Sequence, residues 1–397
     1  MTIASAPSGA LSGLRVLDLS RVLAGPWSTQ ILADLGADVV KVEAPEVGDD
    51  TRTWGPPFMR DGQNKRTDAA YFACCNRNKR SLTADFSTSE GSELIRGLAK
   101  KADILVENFK LNGLKKYGLD YTSLSVANPG LIYCSITGFG QSGPYAHRPG
   151  YDFLIQGMGG LMSITGQPDG QPGAEPVKVG VAVCDLFTGM NAATAILAAV
   201  HHRQKTGQGQ HIDCGLLDSQ IAMLANQASN WLNGAHDPVR MGNNHPNVVP
   251  YRVFEVADGH VIISCGNDRQ FRKLCGALGL AELGGDPRFA TNEKRVENRN
   301  VIDSLLGAEV LGRSKADVIA CLEEAMVPCG PINTVEEVFD DPHVRARGAE
   351  VVQKRSDGTT IRSIAFPAHM SKSPATYRMA APVLGEHTEE IMDEWLS

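Results

Sequence analysis

Between Leu14 and Val200 short apolar runs alternate with helix-like segments, and that rhythm limits the fold more than any other feature of the chain. Leu14–Leu19 (LRVLDL) is an apolar run fit for a buried strand. Pro26 then suits the first turn of a helix running to Leu35, where its missing N–H is no loss, and Gly36 suits the cap beyond it. Asp38–Glu43 (DVVKVE) reads as a second strand. Ser87–Lys101 has helical spacing at Leu94, Ile95 and Leu98, with Ser/Thr capping candidates at its start. Ile104–Glu107 (ILVE) and Leu131–Ile136 (LIYCSI) are further β-rich runs. Strands alternating with helices predict an α/β fold, a parallel sheet covered by helices on its faces.

The pattern changes after Gly207-Gln208-Gly209. A strand (HIDC) leads into a long helix expected over Leu216–Leu232, and Gly234–Pro250 reads as a loop. Tyr251–Cys265 alternates around Asp258-Gly259, which predicts a hairpin. Helical stretches near Arg269–Gly279 and Arg313–Ala325 complete a second, α+β lobe, as a chain of 397 residues leads one to expect. The final segment holds β-like pieces and a helix over Thr388–Leu396, with Thr388 as its cap and Glu389-Glu390 in its first turn.

A net charge of −7 without a long basic run argues against a nucleic-acid partner. Nine scattered cysteines with no CxxC pair read as small apolar residues in a reducing cytoplasm. Met1–Leu11 lacks the basic and apolar regions of a signal peptide. The most apolar stretch, Val179–Val200, carries Asp185, Thr188 and Asn191 inside it, so a buried strand and helix is expected there rather than a membrane span.

Gly138-Phe139-Gly140-Gln141-Ser142-Gly143 fits GxGxxG after a strand. A dinucleotide turn needs those glycines to open a helix whose N-terminus holds the pyrophosphate. Pro144, Pro149 and Gly150 follow instead, so a glycine turn shaping a cleft rim is the expectation. There is no HExxH, no Cys/His quartet and no GxSxG, and no metal site is expected. What remains is a carboxylate at a strand-to-helix junction: Val179–Cys184 extended, Asp185, then a helix from Leu186 to Val200. Asp is a preferred helix N-cap, and spacing leaves that role open. The functional alternative places the helix N-terminus at the carboxyl end of a parallel strand, where open sheets bind ligands, with its positive end keeping the carboxylate ionised. Both roles draw on the same oxygen lone pairs.

Ordered blocks then run nearly the length of the chain: LSGLRVLDLSRVLAGPWSTQILADLGADVVKVE, NRNKRSLTADF, ADILVENF, ITGFGQSGPY, PGYDFLIQGMGGLMSITG, VGVAVCDLFTGMNAATAILAAV, KTGQGQHIDCGLLDSQIAML, VPCGPINTVEEVFDDPHV and LGEHTEEIM. In them the chain resembles the class III CoA-transferases. GDDTRTWGPPF and HPNVVPYRVF look most like the succinyl-CoA:glutarate branch, whose acids are dicarboxylates. The resemblance implies an interlocked, ring-like homodimer, with a Rossmann-like large domain built from both chain ends and a smaller α+β domain. Residues 1–215 would begin the large domain, 216–330 form the small domain with a linking helix, and 331–397 return to the large one. Acyl-CoA and small carboxylic acids are the implied ligands, CoA as a substrate and no cofactor tightly bound; a local basic pocket reconciles that polyanion with the acidic chain.

The family's nucleophilic aspartate falls on Asp185, and Tyr151 in Gly150-Tyr151-Asp152 matches an active-site tyrosine; a core tyrosine with a satisfied hydroxyl is the alternative. Leu23 and Ala24 in the VLAGP turn, and Asn108, Phe109 and Lys116, match CoA-binding positions, although an exposed lysine needs no function. Leu23 stands where the formyl-CoA branch carries a glutamine, and Ala44 where several relatives carry an arginine. The loop after Gly242 (GNNHPNVVP), with Asn244 and His245, reads either as a lid shielding a water-labile anhydride or as an ordinary surface loop. Arg52 is a candidate for the distal carboxylate, because a guanidinium matches a planar carboxylate; the alternative pairs it with Asp49 or Asp50.

The nearest rival is an α-methylacyl-CoA racemase, where a histidine stands at the position of Tyr151. A phenol is a poor base at neutral pH, so the tyrosine favours transfer. A silent CoA-binding protein would have no need of Asp185.

Overall fold

A computed structural model describes residues 9–235 and 237–397. The reading of Met1–Leu11 therefore falls mostly outside the described residues, as does His236 in the 234–250 loop. The main sheet has six strands: β1 (Arg15–Asp18), β2 (Asp38–Glu43), β3 (Lys79–Thr83), β4 (Ile104–Glu107), β5 (Ile132–Thr137) and β6 (Gln210–Gly215). All pair in parallel, in the order β3-β2-β1-β4-β5-β6. That is the Rossmann order, in which the direction of winding reverses between β1 and β4.

Seven helices matter for the site or the sheet: α1 (Ala24–Asp34), α2 (Ser89–Lys101), α3 (Asp152–Met158), α4 (Val183–Thr206), α5 (Leu216–Met223), α6 (Ala225–Gly234) and α7 (Thr388–Leu396). Side chains alternate across each strand, so each face of the sheet has its own core. Val16, Val39, Ile104, Ile132 and Cys134 pack with Leu32 of α1 and Ala192 and Ile196 of α4. Leu17, Val40, Leu82, Leu105 and Tyr133 pack with Ile95 and Leu98 of α2 and Ile391 and Trp395 of α7. The indole N–H of Trp395 donates to Asp38 at 3.0 Å, tying the end of the chain to β2.

The described residues divide into two compact units. The first comprises those within Met1–Met162, Lys178–Asp237 and Pro342–Ser397, and the second Ser163–Val177 and Pro238–Asp341. Helices α5 and α6 therefore belong with the parallel sheet, and the units part from the 1–215, 216–330 and 331–397 division at both of its boundaries. In the second unit an antiparallel sheet of β7 (Tyr251–Val256), β8 (Gly259–Ser264) and β9 (Cys329–Pro331) runs in the order β9-β8-β7. Phe254, Val261 and Ile263 pack there against Phe271, Leu274, Leu306 and Leu322. Small antiparallel pairs at Phe58–Arg60 with Arg66–Ala69, and at Glu350–Lys354 with Thr360–Ile364, complete the strands.

Three local expectations need correction. The helix expected over Leu216–Leu232 is broken, because Ala225 at its middle has a φ of 41°. Val179–Cys184 is not a strand; it pairs with no other strand, Val181 is exposed, and α4 begins at Val183. The cap of α7 is His387, with Thr388 as the first helical residue. Among the described residues α4 alone is long and apolar enough to span a bilayer, yet it carries Asp185 in its first turn and packs its apolar face in the core.

Candidate active site

The carboxyl ends of β1, β4, β5 and β6 open onto one cleft of about 410 Å³, at the point where the sheet reverses. Arg21, Val22, Leu23 and Ala24 line it after β1, and Asn108, Phe109, Lys110 and Leu111 after β4. Thr137 and Gly138 close β5, Leu216 follows β6, and Arg148, Gly150, Tyr151 and Asp185 complete the wall. Open α/β sheets bind ligands at this place because the loops there diverge to opposite faces and leave a crevice.

A buried polar network shapes the first wall. Asp18 pairs with Lys79 at 3.0 Å, and Lys41 pairs with Asp49 at 2.8 Å while donating to the Ser20 carbonyl. Burial alone raises the Asp49 carboxyl, but the Lys41 charge and the hydrogen bonds from Lys41 and Thr51 together outweigh it and hold the group at about 2. The Asp49 carboxylate also accepts the Val22 N–H, at 3.2 and 3.3 Å from its two oxygens. Val22 sits at φ 71°, a left-handed conformation that a β-branched residue rarely adopts. The network beneath it compensates that strain, which falls on a residue of the cleft lining. Across the cleft Asn108 accepts from the Arg21 N–H at 2.8 Å and donates to its carbonyl at 2.6 Å, which ties the two loops at the reversal point together.

The GxGxxG stretch opens no helix, as expected, and its first glycine has a different use. A Cβ on Gly138 would come within 2.6 Å of the Gly150 Cα, so only glycine lets these backbones touch. That approach sets Tyr151 on the rim above β5. Tyr151 is 67% exposed, which removes the reading of it as a core tyrosine. On the far wall, a Cβ on Gly189 would come within 2.6 Å of the Ala24 carbonyl oxygen, so a glycine there lets α4 lie close against α1.

Asp185 is the third residue of α4, not its N-cap. Ala182 stands at the cap and offers no side-chain bond. The capping role passes to Asp152 of α3, whose Oδ1 accepts the N–H of Cys184 at 2.7 Å and of Asp185 at 3.4 Å. The competition for the Asp185 lone pairs is thereby resolved: among the described residues no hydrogen bond reaches its carboxylate. Burial, and then the Asp152 charge, push the Asp185 carboxyl up to about 7. The expectation of a group kept firmly ionised by the helix end gives way to these two effects. A nearly unsolvated carboxyl with free lone pairs, at a cleft wall, can act as a nucleophile or as a proton carrier at neutral pH.

The other expected residues divide. Leu23, Ala24, Asn108 and Phe109 line the cleft with Asp185 and Tyr151. Lys116 does not line it: that side chain is exposed with its ammonium 4.5 Å from the Tyr117 ring centre, and Lys110 supplies the cleft's lysine. Arg52 is buried and ion-paired with Glu43 at 2.7 Å and Asp68 at 3.1 Å, so it has no free face for a substrate carboxylate. Its expected partners, Asp49 and Asp50, are engaged elsewhere, with Lys41 and Arg21. Asn244 and His245 belong to the second unit, where the Asn244 amide donates to the Met241 carbonyl and His245 Nδ1 accepts the Asn247 N–H. Asp152 went unassigned in the sequence; its signal was the Asp152/Gln156 pair, whose i, i+4 spacing puts both on one helix face. Arg21, Lys110 and Arg148, the cations of the cleft, carried no signal of their own.

A crevice at the reversal point of a Rossmann-ordered sheet, with the unbonded Asp185 carboxyl in its wall, is the ligand site of an α/β protein. The chain belongs to CoA-transferase family III, whose model matches residues 11–388, and it is a CoA-transferase. It is similar to the succinate–glutarate CoA-transferase of Agrobacterium fabrum, 52% identical with 97% of this chain and 95% of that one covered. Mouse succinyl-CoA:glutarate CoA-transferase is 41% identical, covering 97% of this chain and 86% of its own. The succinyl-CoA:mesaconate CoA-transferase of Haloarcula hispanica is 40% identical, over 97% of this chain and 96% of its own. Among solved structures, a CAIB/BAIF family protein from Brucella suis matches with a TM-score of 0.85 at 52% identity, covering 98% of this chain and all of that one.

Proposed function

We propose that this enzyme moves CoA from succinyl-CoA to a dicarboxylic acid such as glutarate, with Asp185 as the covalent carrier. The observation that carries the reading is the Asp185 carboxyl, unbonded in the cleft and at a position that matches the family's nucleophile. An Asp185 oxygen attacks the thioester carbonyl of succinyl-CoA, giving a succinyl–aspartyl anhydride and CoA thiolate. The thiolate attacks the aspartyl carbonyl, forming an Asp185–CoA thioester and releasing succinate. The acceptor carboxylate attacks that thioester, and the expelled thiolate then takes the acceptor's acyl group, which frees Asp185. Two easier steps replace one difficult exchange in each direction.

Each tetrahedral intermediate carries an oxyanion that needs donors already in place. Tyr151, exposed on the cleft rim, and the main-chain N–H groups after β5 support that role. The anhydride must be kept from water. Leu23, Ala24, Asn108 and Phe109 are read as CoA contacts. An interlocked homodimer belongs to the same reading, supported by the exposed Ile221, Trp231 and Leu232 on α5 and α6. So does a cytoplasmic location, supported by nine cysteines that are all free.

The test mixes the enzyme with succinyl-CoA and a panel of acids, and identifies the new CoA esters by mass spectrometry. Glutaryl-CoA formation, with a CoA-sized adduct on an Asp185 peptide, is expected. Wild-type transfer by Asp185→Ala would falsify the carrier role.

A further inference from the structure

The lead into α4 is held by two side chains one turn apart on α3. Asp152 accepts the N–H groups of Cys184 and Asp185 on one oxygen, and its other oxygen accepts from Gln156 Nε2 at 2.6 Å. Gln156 is fully buried, and its carbonyl oxygen accepts the Val179 N–H at 2.9 Å. A carboxylate and an amide therefore grip main-chain N–H groups at both ends of the 179–185 segment. The first N–H groups of a helix have no partners within it. An acidic residue three places past the cap usually bonds back to its own helix start, as in a capping box. Here Asp152 does that work from outside.

We propose that Asp152 is a positioning residue for Asp185: it caps the nucleophile's helix from a neighbouring helix, leaves the nucleophile's oxygens unbonded towards the cleft, and sets a fixed negative charge beside them. This rests on the reading of Asp185 as the covalent carrier. The charge has a definite consequence. Acylation removes the negative charge of Asp185, so repulsion from Asp152 is present in the free enzyme and relieved in the anhydride and in the thioester. The same repulsion, added to burial, raises the Asp185 carboxyl. The other titratable groups facing Asp185 are Tyr71 and the Cys184 thiol, both shifted upward and therefore neutral, so neither offsets Asp152. Arg21, Lys110 and Arg148 line the same cleft without bonding to Asp185.

Asp152→Asn tests this, because the amide oxygen can still accept the Cys184 N–H while the charge is gone. The acid limb of kcat/KM reports the essential carboxyl of the free enzyme. It should lie near pH 7 in the wild type and move down by about one pH unit or more in Asp152→Asn. With succinyl-CoA and no acceptor, the ratio of CoA-carrying to free enzyme by intact mass should fall about tenfold in the variant. A limb that stays in place with an unchanged adduct ratio overturns the proposal. If Asp152→Asn does not fold, Asp152→Ser, whose hydroxyl can also accept an N–H, carries the same test: an unmoved limb with an unchanged adduct ratio overturns the proposal. Asp185→Asn separates the two ideas. Transfer surviving in that variant removes the carrier reading and this proposal together; a dead Asp185→Asn with an unmoved limb in Asp152→Asn removes only the role of Asp152.

Discussion

The Arg52 guanidinium donates to both oxygens of Glu43, from Nε at 2.8 Å and from Nη2 at 2.7 Å, and lies over the Phe72 ring at 3.6 Å. Its remaining reach goes to Asp68 and the Pro382 carbonyl. Arg52 thus joins the edge of β2 to the chain's last segment. Arg52→Ala leaves Glu43 buried without its partner, which costs about 3–5 kcal/mol. The expected outcome is a large drop in the urea midpoint, with the ratio of activities on glutarate and on a monocarboxylic acid unchanged in the protein that remains folded.

Asp185→Asn should abolish transfer and yet stabilise the protein. The Asp185 carboxyl lies at about 7 in the fold against an ordinary 3.8. A raised carboxyl means that the folded state holds the proton longer, so stability falls as pH rises from about 4 to about 7. The amide has no such dependence. The variant should gain on the order of 4 kcal/mol at pH 8, shrinking to nothing near pH 4, and melting curves at the two pH values measure it.

The Lys41–Asp49 pair acts in the opposite sense. Asp49 is held at about 2, below its usual 3.8, so its contribution is complete above the higher value and lost as pH falls through the lower. The loss amounts to about 2 kcal/mol. Urea midpoints taken between about pH 5 and about pH 2 should fall in the wild type, and should be flatter in Asp49→Asn, which starts lower because Lys41 is left buried and unpaired.

Gly138→Ala forces apart two backbones that touch at Gly150. The overpacking should cost about 1–3 kcal/mol. Because Gly150 precedes Tyr151 on the cleft rim, the turnover rate should fall further than stability accounts for, by up to about a hundredfold. Steady-state kinetics beside a melting curve separate the two effects.

Much of the sheet was legible because buried parallel strands are written as short apolar runs. Leu14–Leu19, Asp38–Glu43 and Ile104–Glu107 coincide with β1, β2 and β4 to within a residue or two. Lys79–Thr83 does not show as an apolar run because β3 carries Lys79 and Arg80, whose charges are neutralised by Asp18 and Asp38 from other parts of the chain. Val179–Cys184 read as a strand because its valines alternate, but no strand edge is there to receive them.

The alternation that makes a parallel sheet, and the ordered blocks that single out Asp185 and Tyr151, can be read along the chain. Strand burial, helix spacing and the neighbours of a given residue in the sequence are local properties of the chain. What those side chains are free to do depends on the partners that folding brings to them. Spacing offers Arg52 to a substrate carboxylate or to Asp49 or Asp50, and the fold gives it to Glu43 and Asp68; spacing allows Asp185 to be a cap, and Asp152 relieves it of that role. Each outcome turns on a charge brought from elsewhere in the chain and on water removed around it, and neither is set by spacing.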